Sequence, residues 1–188
     1  MNAAHAQVLQ LLANYAPDDL EQAGQRRLFM DFVEQHPACC ERHLAIGHLT
    51  GSAWLVSKDG QRALLMHHRK LNRWLQPGGH ADGSGDLAHV ALREAEEETG
   101  LAGLTVEAVV FDLDRHRIPA RGAEPEHWHY DVRFVVRANG SESFIQNGES
   151  LALAWFDIKK LAYDGELDES IRRMAKKWLG RSDNPNAH

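Results

Sequence analysis

Apolar residues in the first 36 positions recur at helical intervals. Val8, Leu9, Leu11 and Leu12 form one cluster; Leu28, Phe29, Phe32 and Val33 form another, spaced by three and four. Pro17 followed by Asp18 and Asp19 predicts a break and a new helix start, and Pro37 closes the segment. Two short helices of this kind read as a packing or oligomer element rather than a site, which leaves a homodimer open.

From Leu44 the pattern changes to strands. His48–Ser57 and Arg62–His68 flank Lys58-Asp59-Gly60-Gln61, and Asp-Gly between two such runs signals a hairpin. The stretch RKLNRWLQPGGHADGSGD reads as a polar, glycine-rich loop. A helix is predicted over 86–98, closed by Gly100. Strands are expected at Leu104–Leu113, His127–Arg137 and Leu151–Phe156, with a last helix from about Asp168 to Leu179. Arg115, His116, Arg117 and Arg121 fall in the long loop before His127. Strands with helices before, between and after predict an α/β sandwich with helices on both faces. The expected organisation is a helical extension over 1–40, an α/β domain over 41–180 and a disordered tail over 181–188.

Composition narrows this reading. At 188 residues, 43% hydrophobic and 26% charged, the chain has enough apolar material for a real core. A net charge of -6 argues against a nucleic-acid footprint, which needs clustered Lys and Arg. It does not argue against a small phosphate ligand accompanied by a cation. Cys39 and Cys40 are adjacent and read as reduced thiols. No basic segment precedes a long apolar run, so no membrane span is predicted and a cytoplasmic location is expected.

The predicted helix DLAHVALREAEEE carries the candidate chemistry. At about 100° per residue, Leu87, Ala88, Ala91, Leu92 and Ala95 share an apolar stripe. Glu94 and Glu98 border that stripe and Glu97 sits beside them, while Glu96 projects to the far side. Like charges at i, i+4 repel, and acidic residues near a helix C-terminus oppose its dipole. A divalent cation would resolve both conflicts, and magnesium favours oxygen ligands. Arg93 could pair with Glu97, four residues on.

The stretch Gly79–Leu101, GHADGSGDLAHVALREAEEETGL, resembles the Nudix box, G-x5-E-x7-R-E-U-x-E-E-x-G-U, where U is a bulky apolar residue. The half from Arg93 to Leu101 is present, with Ala95 a small occupant of a U position, and Pro77-Gly78-Gly79 matches the usual entry. The resemblance implies a Nudix α/β/α sandwich with a mixed sheet. It also implies magnesium-dependent hydrolysis of a pyrophosphate bond, with manganese as the alternative ion. The substrate class would be a nucleoside diphosphate linked to another moiety, or a related small molecule. Glu94, Glu97, Glu98 and the Gly79 carbonyl would ligate the metal. Glu94 would serve as base, and Arg93 would orient the glutamates. The first family glutamate is replaced by Gly85. Asp86 or Asp82 could supply the missing carboxylate; Asp86 could equally be the helix N-cap.

Secondary candidates surround this core. His127, His129, Asp131 and Arg133 alternate with Trp128, Tyr130, Val132 and Phe134. The polar face would take a second metal or substrate phosphates, or be an ordinary polar strand face. His-x-His also suits zinc, but further Cys or His at ligand spacing is lacking. Arg117 and its basic neighbours could hold a leaving phosphate or sugar, and His80 could approach the phosphates. The resemblance implies an assisting role for Glu149. Trp74 would stack on a base or simply pack. Two other functions stay open: a non-catalytic Nudix-like nucleotide-binding module, and an isoprenoid diphosphate isomerase, which needs a catalytic cysteine.

Overall fold

A computed structural model of the chain describes residues 2–69, 71–122, 124–145, 148 and 150–181. In chain order its elements are α1 (Ala3–Asn14), α2 (Leu20–Gln35), β1 (Gly47–Val56), β2 (Arg62–His68), β3 (Arg73–Leu75), β4 (Gly78–His80), α3 (Leu87–Thr99), β5 (Leu104–Val106), β6 (Asp112–Ile118), β7 (His127–Ala138), β8 (Ser150–Asp157), α4 (Ile158–Leu161) and α5 (Glu169–Leu179). They divide into two compact units. The first takes in the chain up to Ser52, Gly78–Ala91 and Glu107–Phe134; the second takes in Ala53–Pro77, Leu92–Val106 and the described residues from Val135 on. No helix among the described residues is long and apolar enough to cross a membrane.

In the first unit both N-terminal helices start where their polar residues dictate. The Asn2 side chain accepts from the His5 amide at 2.8 Å, and Asp19 accepts from the Gln22 amide at 2.7 Å. Val8, Leu12, Phe29 and Val33 are fully buried, as their spacing predicted. Phe29 meets the Tyr130 ring edge-on at 5.3 Å, and Phe32 stacks on it at 3.8 Å. Gln22 fastens α2 to β6. Its Nε2 donates to the Leu113 carbonyl at 3.1 Å, while the Leu113 amide and the Tyr15 hydroxyl donate to its Oε1 at 2.9 and 2.8 Å.

Strands of this unit run in the order β4–β1–β7–β6. Gly51 of β1 lies under the start of α3: a Cβ there would stand 2.7 Å from the Leu87 carbonyl oxygen. Strand β6 corrects two expectations. Residues 115–117 are not loop but strand, paired with β7 from Asp112↔Arg133 to Ile118↔His127. The single strand expected over Leu104–Leu113 is two: β5 ends at Val106, paired with Val136, and β6 begins at Asp112, paired with Arg133. The sequence DLDRHRI hides a strand because the residues of its polar face are charged rather than apolar.

In the second unit the predicted hairpin forms. The Ser57 amide bonds the Arg62 carbonyl at 2.9 Å, and Gly60 takes φ 69° in the turn. Strand β2 pairs along its whole length with β8 and, near its end, with β3. Helix α5 is tied to the hairpin by Trp178, fully buried, whose Nε1 donates to the Gly60 carbonyl at 2.8 Å. The segment read as one loop contributes two short strands, β3 and β4.

Replacing Gln22 with Ala removes its bonds to the buried Leu113 amide and carbonyl. Urea unfolding should show a loss of about 1–3 kcal/mol; an unchanged midpoint would disprove the fastening role.

Candidate active site and histidine cluster

Helix α3 starts on Asp86, whose Oδ1 accepts from the His89 amide at 3.1 Å. Asp86 is therefore the N-cap, as one of its two readings held. Asp82 is engaged by Arg42 Nε at 3.0 Å. Gly85 sits against α1: a Cβ there would lie 2.5 Å from the Ala4 carbonyl oxygen and 2.6 Å from its Cα. Any side chain at this position, a glutamate included, would meet backbone, which yields less easily than a side chain tip.

The glutamates occupy the second half of α3, in the second unit. Arg93 Nη2 lies 2.6 Å from Glu94 Oε1, and Arg93 Nε lies 4.0 Å from Glu97 Oε1. The guanidinium thus holds Glu94 more closely than the expected partner Glu97. Glu98 is 6% exposed, and the side chains of Glu94 and Glu97 are 17% and 64% exposed. Gly100 ends the helix as expected, at φ 66° with its amide on the Glu96 carbonyl at 2.8 Å. Gly79 stands in β4 of the first unit, opposite Gly51 of β1. Its neighbour Gly78 leaves no room for a side chain, since a Cβ would fall 2.7 Å from the Ser52 Cβ.

The polar face of β7 is not a solvated surface. His127, Asp131 and Arg133 are 5%, 1% and 2% exposed. Arg133 reaches three carboxylates: Asp131 at 2.8 Å, Asp112 at 3.2 Å and Asp114 at 3.2 Å. Asp131 also accepts from the Thr50 and Ser52 hydroxyls at 2.8 and 2.6 Å. Burial alone would lower the Arg133 pKa, but Asp114, Asp131 and Asp112 overcome it and raise it. The guanidinium stays charged.

Further along the same face, His48, His80, His127 and His129 gather with ring centroids 4.9 to 5.1 Å apart. His116 of β6 approaches His129 at 5.5 Å. Sequence spacing found His80, His127 and His129 but missed His48, which reads as the first residue of an apolar strand. Its only signal was being a histidine in a run that is otherwise buried. Burial lowers the His48 pKa from 6.5 to about 4, and the neighbouring His80 and His127 add to the shift. His80 and His129 are lowered for the same first reason, then by Arg42 and His116 respectively. All three rings are neutral at pH 7.

Other candidates are placed as follows. Arg117 lies on β6 and pairs with Glu126. Arg115 stacks over Trp128, its Cζ 4.3 Å from the ring centre. Trp74 packs, stacked on His67 at 5.2 Å and edge-on to Phe156 at 4.9 Å. Glu149 lies outside the described residues, as do 182–188 of the expected tail. Cys39 and Cys40 are buried free thiols, 0% and 5% exposed, so neither is displayed as a nucleophile.

A family model of the NUDIX domain matches residues 48–178. A Mycobacterium tuberculosis protein named "Putative 8-oxo-dGTP diphosphatase 3" is 33% identical over 111 residues, 55% of this chain and 48% of its own length. A Xenopus laevis protein named nucleoside diphosphate-linked moiety X motif 6 is 27% identical over 137 residues, 70% of this chain and 60% of its own. The chain thus spans about half to three-fifths of these relatives. Among solved structures, a binary complex of a C. elegans Ap4A hydrolase superposes with a TM-score of 0.56 at 17% identity, covering 70% of this chain and 95% of that one. The shared feature is the α/β fold with a mixed sheet; helices α1 and α2 precede the matched region.

Two outcomes follow for stability. Because folded His48 titrates near 4 against an ordinary 6.5, the unfolded chain binds more protons between those values. Stability is complete above about pH 6.5 and falls as pH drops toward 4. Melting curves in chelator from pH 8 to 4 should show this decline, and His48→Gln should flatten it; a flat wild-type profile would refute it. Gly85→Ala should cost about 1–3 kcal/mol by forcing α1 away, and equal melting temperatures would rule out that contact.

Proposed function

This chain belongs to the NUDIX domain family, and from that premise we propose that it is a magnesium-dependent pyrophosphohydrolase. The substrate class is a nucleoside diphosphate linked to another moiety, or a related small diphosphate. The observation that carries the reading is the sequence Arg93-Glu94-Ala95-Glu96-Glu97-Glu98 folded as one helix, which sets three carboxylates at i, i+3 and i+4. The names of the relatives, both nucleotide-directed, agree with it.

The donor set fits the ion. All three groups are hard carboxylate oxygens, which suit magnesium, with manganese as the alternative. Glu94, Glu97 and Glu98 would hold it. Bound there, the ion supplies neutralisation of phosphate oxygens and a lowered pKa for the attacking water. The chain's own part is positioning and proton handling. Arg93 keeps the Glu94 carboxylate in one orientation through its 2.6 Å contact. Glu94, shielded from bulk water, accepts the proton that leaves the water at its carboxylate oxygen. His80, Arg117, His127, His129 and Glu149 are kept as the proposed substrate-side residues. A missing carboxylate at Gly85 fits this reading, since the ligands lie at the opposite end of the helix.

The test is a panel of nucleoside triphosphates, nucleotide sugars, dinucleoside polyphosphates and coenzymes, assayed with and without magnesium and read by product identity. Glu94→Gln should lower turnover about 100- to 10,000-fold, and Glu97→Gln and Glu98→Gln by orders of magnitude, with circular dichroism unchanged. Near-normal turnover in the folded variants overturns the assignment. Binding of nucleotides without any product identifies a non-catalytic module instead.

A further inference from the structure

Of the four clustered histidines of the first unit, His48 has no task in that chemistry, and a substrate-side role for His80, His127 and His129 does not account for their gathering around it. His48 comes from β1, His80 from β4, and His127 and His129 from β7. One ligand nitrogen from each of His48, His80 and His129 lies within 4.8 Å of the other two. His127 adds a fourth imidazole, its Nε2 3.3 Å from the Nε2 of His129. Two imidazole nitrogens bound to one tetrahedral ion at about 2.05 Å would also be about 3.3 Å apart.

Two details distinguish this from ordinary ring packing. First, His48 is 2% exposed and neither ring nitrogen has a hydrogen-bond partner. A neutral imidazole carries one N–H and one lone pair, and a buried polar group of either kind normally has a partner. Stacking against other rings relieves neither. Second, Nδ1 of His127 donates to the Pro125 carbonyl at 2.9 Å. That bond fixes the tautomer and turns the Nε2 lone pair inward, the arrangement typical of a metal-ligating histidine.

We propose that His48, His80 and His129 form a binding site for a zinc-class transition metal, with His127 beside it as a fourth imidazole. Imidazole selects zinc, copper or nickel over magnesium, and thiolate is absent from the cluster. Asp131 is not a competitor, because Thr50, Ser52 and Arg133 already occupy it.

Arg42 opposes the site as it stands. Its Nη2 donates to His80 Nδ1 at 2.8 Å while its Nε holds Asp82 at 3.0 Å. Accepting at Nδ1 places the His80 proton on Nε2, so ligation through Nε2 requires Arg42 to release the ring. Its side chain is 56% exposed and can swing outward, keeping Asp82.

The full chain, stripped with chelator, is dialysed against zinc, and separately against cobalt(II) as a spectroscopic stand-in. The expected result is one zinc retained per chain and visible cobalt absorption of low-coordinate, all-nitrogen type. His48→Gln and His129→Gln should each weaken zinc affinity by about 100-fold or more. Arg42→Ala should tighten it, and Glu97→Gln should leave it unchanged, which separates this site from the glutamate helix. Four results overturn the proposal. One is zinc retention no greater than that of the His48→Gln/His129→Gln double variant. The second is a cobalt spectrum that stays that of the hydrated ion. The third is thiolate-to-cobalt charge transfer, which would place the metal on Cys39 or Cys40. The fourth is an affinity lost in Glu97→Gln. The cobalt spectrum of the unmutated chain decides the matter even where a variant fails to fold.

Discussion

Arg133 is buried, 2% exposed, and the first unit is arranged around its charge. A guanidinium in such a place persists only when its charge is met, and here three aspartates from two strands meet it. Each constrains the register. Asp112 stands opposite Arg133 and Asp114 opposite Asp131, so a slip of one residue would turn every one of these groups to the other face. Thr50 and Ser52 then lock β1 to the same network through Asp131. Removing one partner would leave an uncompensated buried charge, a loss of about 3–5 kcal/mol.

The same register delivers the histidines. His116 stands opposite His129, two positions along from the Asp114–Asp131 pair, and Thr50 opposite His80. The imidazoles share one face because the charged network has already fixed which face is inward. A polar side of a sheet that would normally meet water is buried here, first as an ion cluster and then as a ring cluster.

The N-terminal helices bear on the catalytic motif in a different way. Ala4 of α1 fills the space beside Gly85, and Gln22 of α2 satisfies the backbone of β6. The position at which the box departs from the family pattern is thus the one α1 packs against. The space a glutamate would need is taken by backbone, and the helix keeps its N-cap in Asp86 while carrying its glutamates in its last two turns.

Local physics made much of this legible in the amino-acid order. The hairpin around Asp59-Gly60, the caps at Asp19 and Gly100, and the amphipathic helix from Leu87 depend on neighbours within a few residues, and periodicity reads such neighbours directly. The run from Arg93 to Glu98 needed only helical spacing to set Glu94, Glu97 and Glu98 on one face. Strand β6, the backbone contact at Gly85 and the place of His48 did not follow from spacing. Each is fixed by a residue far away in the chain: Arg133 pairs with Asp112 and Asp114, Ala4 confronts Gly85, and His48 meets His80 and His129. Charge compensation and steric exclusion act through space, so they exist only once distant strands and helices have been brought into contact.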